Sequence, residues 1–116
     1  MKRGEIYFAE IFDAYGSEQS GTRPVLILQN DVGNRFSPTT IVAFLTSIYK
    51  KIDLPVHEEL PKEISQLPDD SVILLEQIRT LDKDRLVRKV STLDQKFMAR
   101  INEKLLISLG MHPDFS

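Results

Sequence analysis

The sequence predicts a mainly β domain: a small, partly closed antiparallel barrel with one helix docked at its C-terminal end. Three observations point there. Short runs of β-branched and aromatic residues alternate with clusters of Gly, Pro, Asn, Asp and Ser. Only the C-terminal segment changes to helical spacing. And 116 residues (13.3 kDa) without a repeat or dividing linker suit one domain, 1–116, large enough to bury its own core.

The elements follow in order. Glu5-Ile6-Tyr7-Phe8-Ala9-Glu10-Ile11 reads as a first strand, and Asp13 to Gly21, with Gly16, Ser17, Ser20 and Gly21, as a loop. Val25-Leu26-Ile27-Leu28-Gln29 is nearly continuous apolar, the mark of a strand covered on both faces. Pro24, which has no N–H for a ladder, is expected only at that strand's start. Asn30 to Pro38 is dense in turn formers, and Thr40 to Thr46 is a third strand. Leu54 to Glu59 is a shorter strand closed by Pro61, and Lys62 to Pro68 reads as a surface loop. Ser71 to Ile78 and Leu86 to Val90 complete the strands. Phe97, Met98, Ile101, Leu105 and Leu109 then line one face of a helix stopped by Gly110 and Pro113. Thr92 with Gln95 fits a capping box, and Asp94 is the alternative cap.

Composition excludes several classes. No apolar run approaches the ~20 residues of a membrane span, and Met1 to Glu5 lacks the apolar stretch of a secretory signal. The absence of cysteine removes disulfides, thiol catalysis and cysteine zinc sites, and fits a reducing cytoplasm. Fifteen basic residues face 17 acidic ones, so the chain as a whole is not a strongly basic nucleic-acid binder. Residues 79–104 nevertheless hold Arg79, Lys83, Arg85, Arg88, Lys89, Lys96, Arg100 and Lys104 against four acidic residues. That excess fits a binding surface or a solvated face.

Few residues are candidates for chemistry. His57 and His112 have no metal-ligand spacing, so no metal is expected. Gly16 to Gly21 matches neither phosphate-cradling fingerprint, so no nucleotide cofactor is expected either. Arg23 stands where a loop meets a buried strand, and its fork of permanently charged donors suits a phosphate or a carboxylate. A salt bridge to Glu10 or Glu18 is its structural alternative. Thr46 with Ser47, and Gln77 with Arg79, close two other strands, where a small barrel can assemble a site.

Together these residues resemble the MazF/PemK family of toxin endoribonucleases. The resemblance runs through Arg3-Gly4-Glu5-Ile6-Tyr7, Gly16-Ser17-Glu18-Gln19, Arg23-Pro24-Val25-Leu26, Gln29-Asn30-Asp31 and Gly33 to Thr39. It continues through Leu54-Pro55-Val56-His57 and Asp70 to Asp82, so it covers nearly the whole chain in order. Ser20 departs from the glycine that relatives often carry. The resemblance implies an SH3-like (CcdB/PemK-type) small antiparallel barrel with a C-terminal helix, acting as a homodimer. It implies metal-independent cleavage of single-stranded RNA at a short motif such as UACAU, leaving a 2′,3′-cyclic phosphate and a 5′-hydroxyl. The family's catalytic arginine and threonine fall on Arg23 and Thr46.

RNA-reading candidates are Ser17, Glu18 and Gln19, then Phe36 and Ser37, then Leu54, Pro55 and His57, then Gln77 and Arg79. Phe36 also fits a core position, and His57 a solvated strand residue. A guanidinium is a poor proton acceptor at neutral pH, so the base is sought in Glu18, His57 or water. The implied partner is a cognate antitoxin with an acidic, disordered C-terminal segment that masks the RNA path. Two other functions fit a small barrel: a gyrase poison like the CcdB family, relying on the C-terminal helix, and a non-catalytic binding module.

Overall fold

The computed structural model describes residues 1–12, 21–47 and 54–115. They form strands β1 (Glu5–Ile11), β2 (Gly21–Ile27), β3 (Thr39–Ser47), β4 (His57–Leu60), β5 (Ser71–Asp82) and β6 (Leu86–Thr92). The described helices are α1 (Asp31–Phe36), α2 (Lys62–Ser65) and α3 (Gln95–Ser108). All six strands join one antiparallel sheet in the order β4-β5-β3-β2-β1-β6. Among the described residues, no helix is long and apolar enough to cross a membrane.

The sheet is not closed by hydrogen bonds, because β4 and β6 are its two edges. Instead α2, which directly follows β4, reaches β6. Ser91 Oγ on β6 donates to the Ser65 carbonyl at 2.6 Å, and Leu60 and Leu67 on either side of α2 enter the core. The segment expected to be a surface loop is therefore a bridge across the open side of the barrel.

The core lies on both faces of the sheet. Ile6, Leu26, Leu45, Ile73 and Leu75 pack with Phe97, Met98 and Ile101 of α3. Ile11, Val25, Ile27, Val42 and Phe44 form a second cluster on the opposite face. Successive β2 residues thus enter different clusters, as their unbroken apolar run predicts. Full burial of each large apolar side chain contributes about 1.5–3 kcal/mol. Of the two alternatives at the start of α3, Asp94 is the cap: its carboxylate accepts from the Phe97 N–H at 2.8 Å.

Three boundaries differ from the sequence reading, each for a local reason. Asn30 to Pro38 contains a helix, since Asn30 caps α1 by accepting from the Gly33 N–H at 2.8 Å. β5 runs on to Asp82, because Thr39 to Ala43 provide a partner for its second half. β2 begins at Gly21, so Pro24 lies inside the strand, paired with Phe8 of β1. The β2–β3 ladder starts only at Val25, next to the residue that has no N–H to give. Pro24 is tolerated because the side of it that faces β3 has no ladder to break.

Candidate functional site

That interrupted ladder positions the site. Val25 pairs with Phe44, so the same register carried two residues further puts Arg23 abreast of Thr46. Arg23 is anchored opposite Ala9 on one side, and Thr46 opposite Val72 on the other. Between β2 and β3 the strands lack cross-bonds at this level, and a cleft of about 180 Å³ opens. Arg23, Pro24, Thr46 and Ser47 line it, with Phe8, Leu45, Leu67, Pro68, Asp69 and Ser71. Arg23 and Thr46, chosen from sequence, share one small half-buried space. It offers an always-charged donor fork beside hydroxyls, which suits a phosphate ester.

A second group lies on the neighbouring strands. Between Ala43 and Phe44, β5 makes a bulge in which Leu75, Glu76 and Gln77 have no partner on β3. Next to it, His57 Nε2 is 2.8 Å from Glu76 Oε2, and the His57 side chain is only 6% exposed. This excludes the solvated position allowed for His57. Among the described residues, two buried side-chain atoms, His57 Nδ1 and Gln77 Oε1, have no hydrogen-bond partner. Buried polar groups are normally satisfied, so an orphaned pair beside a bulge marks a place where something else supplies the partner. Thr46 and His57 are two strands and two residues apart in the ladder, or ~12 Å between Cα positions from ordinary sheet spacings.

The remaining candidates are dispersed. Phe36 ends α1 and is 73% exposed, not core, with the Arg35 guanidinium 5.2 Å from its ring centroid. It lines a separate depression with Met1, Lys2, Asp31, Val32, Asn34 and Arg35. Ser37 closes α1, its N–H donating to the Gly33 carbonyl, and its hydroxyl meets Thr39 Oγ1 at 3.1 Å. Leu54 and Pro55 are exposed in the turn that leads into His57. Arg79 is half-buried on β5, opposite Val42. Ser17, Glu18 and Gln19 lie outside the described residues. Sequence reasoning passed over Phe8, Asp69 and Glu76, whose roles appear only once the strands are in register.

The polar motif after β2 is occupied with itself. Asn34, buried inside α1, accepts from Thr40 Oγ1 at 2.8 Å and from Gln29 Nε2 at 3.2 Å. Its Nδ2 donates to the Gln29 carbonyl and to Asp31 Oδ1, while Lys83 Nζ donates to its backbone oxygen. The Arg3 N–H, bonded to Asp31, holds that carboxyl below its ordinary range. At the barrel's other side, Glu5 meets Lys89 Nζ at 2.7 Å. Burial works to raise the Glu5 pKa, but Lys89 and the Lys2 N–H outweigh it and leave it lowered.

Comparison with known proteins agrees with this architecture. Residues 2–109 match the model of a family described as PemK-like, MazF-like toxin of type II toxin–antitoxin system. The chain is 52% identical over 111 residues to endoribonuclease EndoA of Bacillus subtilis, covering 96% of each. It is also 52% identical over 112 residues to endoribonuclease MazF of Staphylococcus saprophyticus, covering 97% of this chain and 93% of that one. Among solved structures, MazF of Deinococcus radiodurans superposes with a TM-score of 0.80 at 24% identity, over 96% of this chain and 97% of that one. A mycobacterial endoribonuclease in complex with its cognate antitoxin gives 0.79 at 23%, over 96% of each.

Proposed function

The chain belongs to the PemK-like, MazF-like family of type II toxin–antitoxin toxins and is an endoribonuclease, and we propose that it cuts single-stranded RNA in the cleft between β2 and β3. The reading is carried by one observation: Arg23 and Thr46 face one small cleft, with the backbone of each set by a ladder on its outer side.

In the reaction the ribose 2′-oxygen attacks the adjacent phosphorus and the bond to the 5′-oxygen breaks. The products are a 2′,3′-cyclic phosphate and a 5′-hydroxyl. Negative charge accumulates on the non-bridging oxygens of the five-coordinate phosphorus, and the Arg23 fork is suited to hold them. One well-aimed donor of this kind contributes about 2.7–4 kcal/mol to the transition state. Thr46 orients the 2′-hydroxyl or donates to a phosphate oxygen. Charge stabilisation by a guanidinium needs no metal. A guanidinium is a poor proton acceptor at neutral pH, so the 2′-hydroxyl proton passes to another group. Within one protomer the His57 backbone is ~12 Å from that of Thr46 by sheet geometry and its Nε2 meets Glu76, so Glu18 or water is the proposed acceptor.

Sequence reading falls to the orphaned atoms. A base edge presents the donors and acceptors that His57 Nδ1 and Gln77 Oε1 lack. Leu54 and Pro55 stand in the turn that leads into His57; Ser17, Glu18, Gln19 and Arg79 are further candidates for reading bases, while Phe36 and Ser37 serve a more distant nucleotide. The chain acts as a homodimer, as the family resemblance implies, and is silenced by a cognate antitoxin, as for the mycobacterial relative seen in complex with its own. An extended acidic segment from that antitoxin would cover the cleft.

The test is to incubate the protein with a mixed RNA pool in EDTA and map the new ends. Cutting at one short motif of the UACAU kind with cyclic-phosphate ends, abolished in Arg23→Ala, is expected. Growth arrest without cutting points to a gyrase poison, and no toxicity at all to a binding module.

A further inference from the structure

The cleft has a neighbour that this mechanism does not use. Phe8, which forms part of the cleft lining, pairs across the ladder with Arg88 of β6. The Arg88 guanidinium lies 4.7 Å from the Phe8 ring centroid. β6 is an edge strand, and Arg88 is exposed on it. The other cations nearby are engaged: Lys89 with Glu5 at 2.7 Å, and Arg85 with the Glu10 carbonyl at 3.4 Å and the Phe12 ring. Among the described residues no carboxylate pairs with Arg88. Its one described partner is an aromatic face, which fixes the guanidinium without neutralising it.

We propose that Arg88, held on Phe8, binds a backbone phosphate of the RNA strand adjacent to the scissile one, extending the cleft across β1 to the β6 edge. Register and cleft together support this placement. Arg88, Phe8 and Pro24 stand side by side on β6, β1 and β2 and share one face of the sheet, while Arg23, one residue on, alternates to the other; the cleft that both Phe8 and Arg23 line joins the two. Two strand spacings put the Arg88 backbone ~10 Å from that of Pro24. The strand would enter over the Phe8–Arg88 shelf and continue to Arg23 and Thr46. A cation resting on a ring is positioned before RNA arrives, so little side-chain freedom is lost on binding.

The inference rests on the endoribonuclease reading, and the experiment separates the two. Kd is measured at several salt concentrations with an RNA that carries the mapped motif and a 2′-deoxy sugar at the scissile position. The all-ribose RNA supplies kcat and KM. Arg88→Gln is expected to raise Kd and KM about tenfold, and to make the slope of log K against log salt shallower by about 0.7, the loss of one phosphate contact to a single strand. The loss falls on KM rather than on kcat. Arg88→Lys, which keeps the charge, is expected to keep the slope. If the wild type cuts RNA but Arg88→Gln leaves Kd and slope unchanged, the phosphate site is wrong while the ribonuclease reading stands. If Arg88→Lys binds as weakly as Arg88→Gln, the flat guanidinium stacks on a base and the phosphate assignment fails. A wild type that cuts no RNA overturns the parent reading, and this one with it.

Discussion

Two regions with polar side chains lie at opposite ends of the β2–β3 pair, and they use those side chains in opposite ways. In the α1 region Gln29, Asn30, Asp31, Asn34 and Thr40 bond to one another and to the backbone, and Asn34 and Thr40 are buried. At the cleft, Arg23, Thr46 and Ser47 stand half-buried where a ladder stops, facing an open volume. The denser motif fixes the route of the chain, and the sparser one lines a cleft. Density of polar motifs in a sequence therefore marks constraint of some kind. Only geometry shows whether it is constraint on shape or on chemistry.

That contrast can be broken first at the cleft. Arg23→Ala should lower kcat/KM by about 10²- to 10³-fold, the usual cost of one aimed transition-state donor, with the thermal midpoint unchanged. An equal loss of folding stability would make Arg23 structural and erase the distinction. Pro24→Ala comes next. It restores an N–H, lets the β2–β3 ladder continue toward Thr46 and narrows the cleft. The expected result is a fall in activity of about 10- to 100-fold, as for ~1 Å misplacements, with stability kept or raised.

At α1 the effects should be inverted. Asn34→Leu strands the Thr40 hydroxyl and the Gln29 carbonyl, at a cost of about 1–3 kcal/mol in denaturant unfolding. The folded fraction should cut RNA at the wild-type rate. The smallest effect concerns Glu5 and Lys89. Folding lowers the Glu5 pKa, so the carboxylate stabilises the native state above its unfolded value of 4.5. That contribution disappears as pH falls through the folded value. In Lys89→Met the buried carboxyl loses its counter-charge. The gap in thermal midpoint from wild type should be open at neutral pH and close below about pH 4.5, as pH-dependent melting will show.

The barrel and its helix were legible because periodicity survives any tertiary arrangement. Alternate burial of Val25, Leu26 and Ile27 on two faces, and of Phe97 and Ile101 on one, follows from local geometry alone. α1 was not legible, since Gly33 and Asn34 are weak helix formers and their helix depends on the Asn30 cap and on Thr40, which lies beyond the turn. Pro24 read as a strand start because its lack of a donor excludes a two-sided ladder, and only the structure shows that one side is open. Of the candidate site, Arg23 and Thr46 were readable from their places at strand ends and from the family resemblance. Phe8, Glu76 and Arg88 were not, because register between distant strands decides what they touch.

The central claim is that the Arg23 guanidinium and the Thr46 hydroxyl serve one phosphate. A double-mutant cycle on single-turnover RNA cleavage by wild type, Arg23→Ala, Thr46→Val and the double variant measures this most directly. If the claim holds, the double variant is little slower than Arg23→Ala alone, because residues acting as a unit lose their effect together. Losses that simply multiply would show two independent contributions, and a shared site would be contradicted.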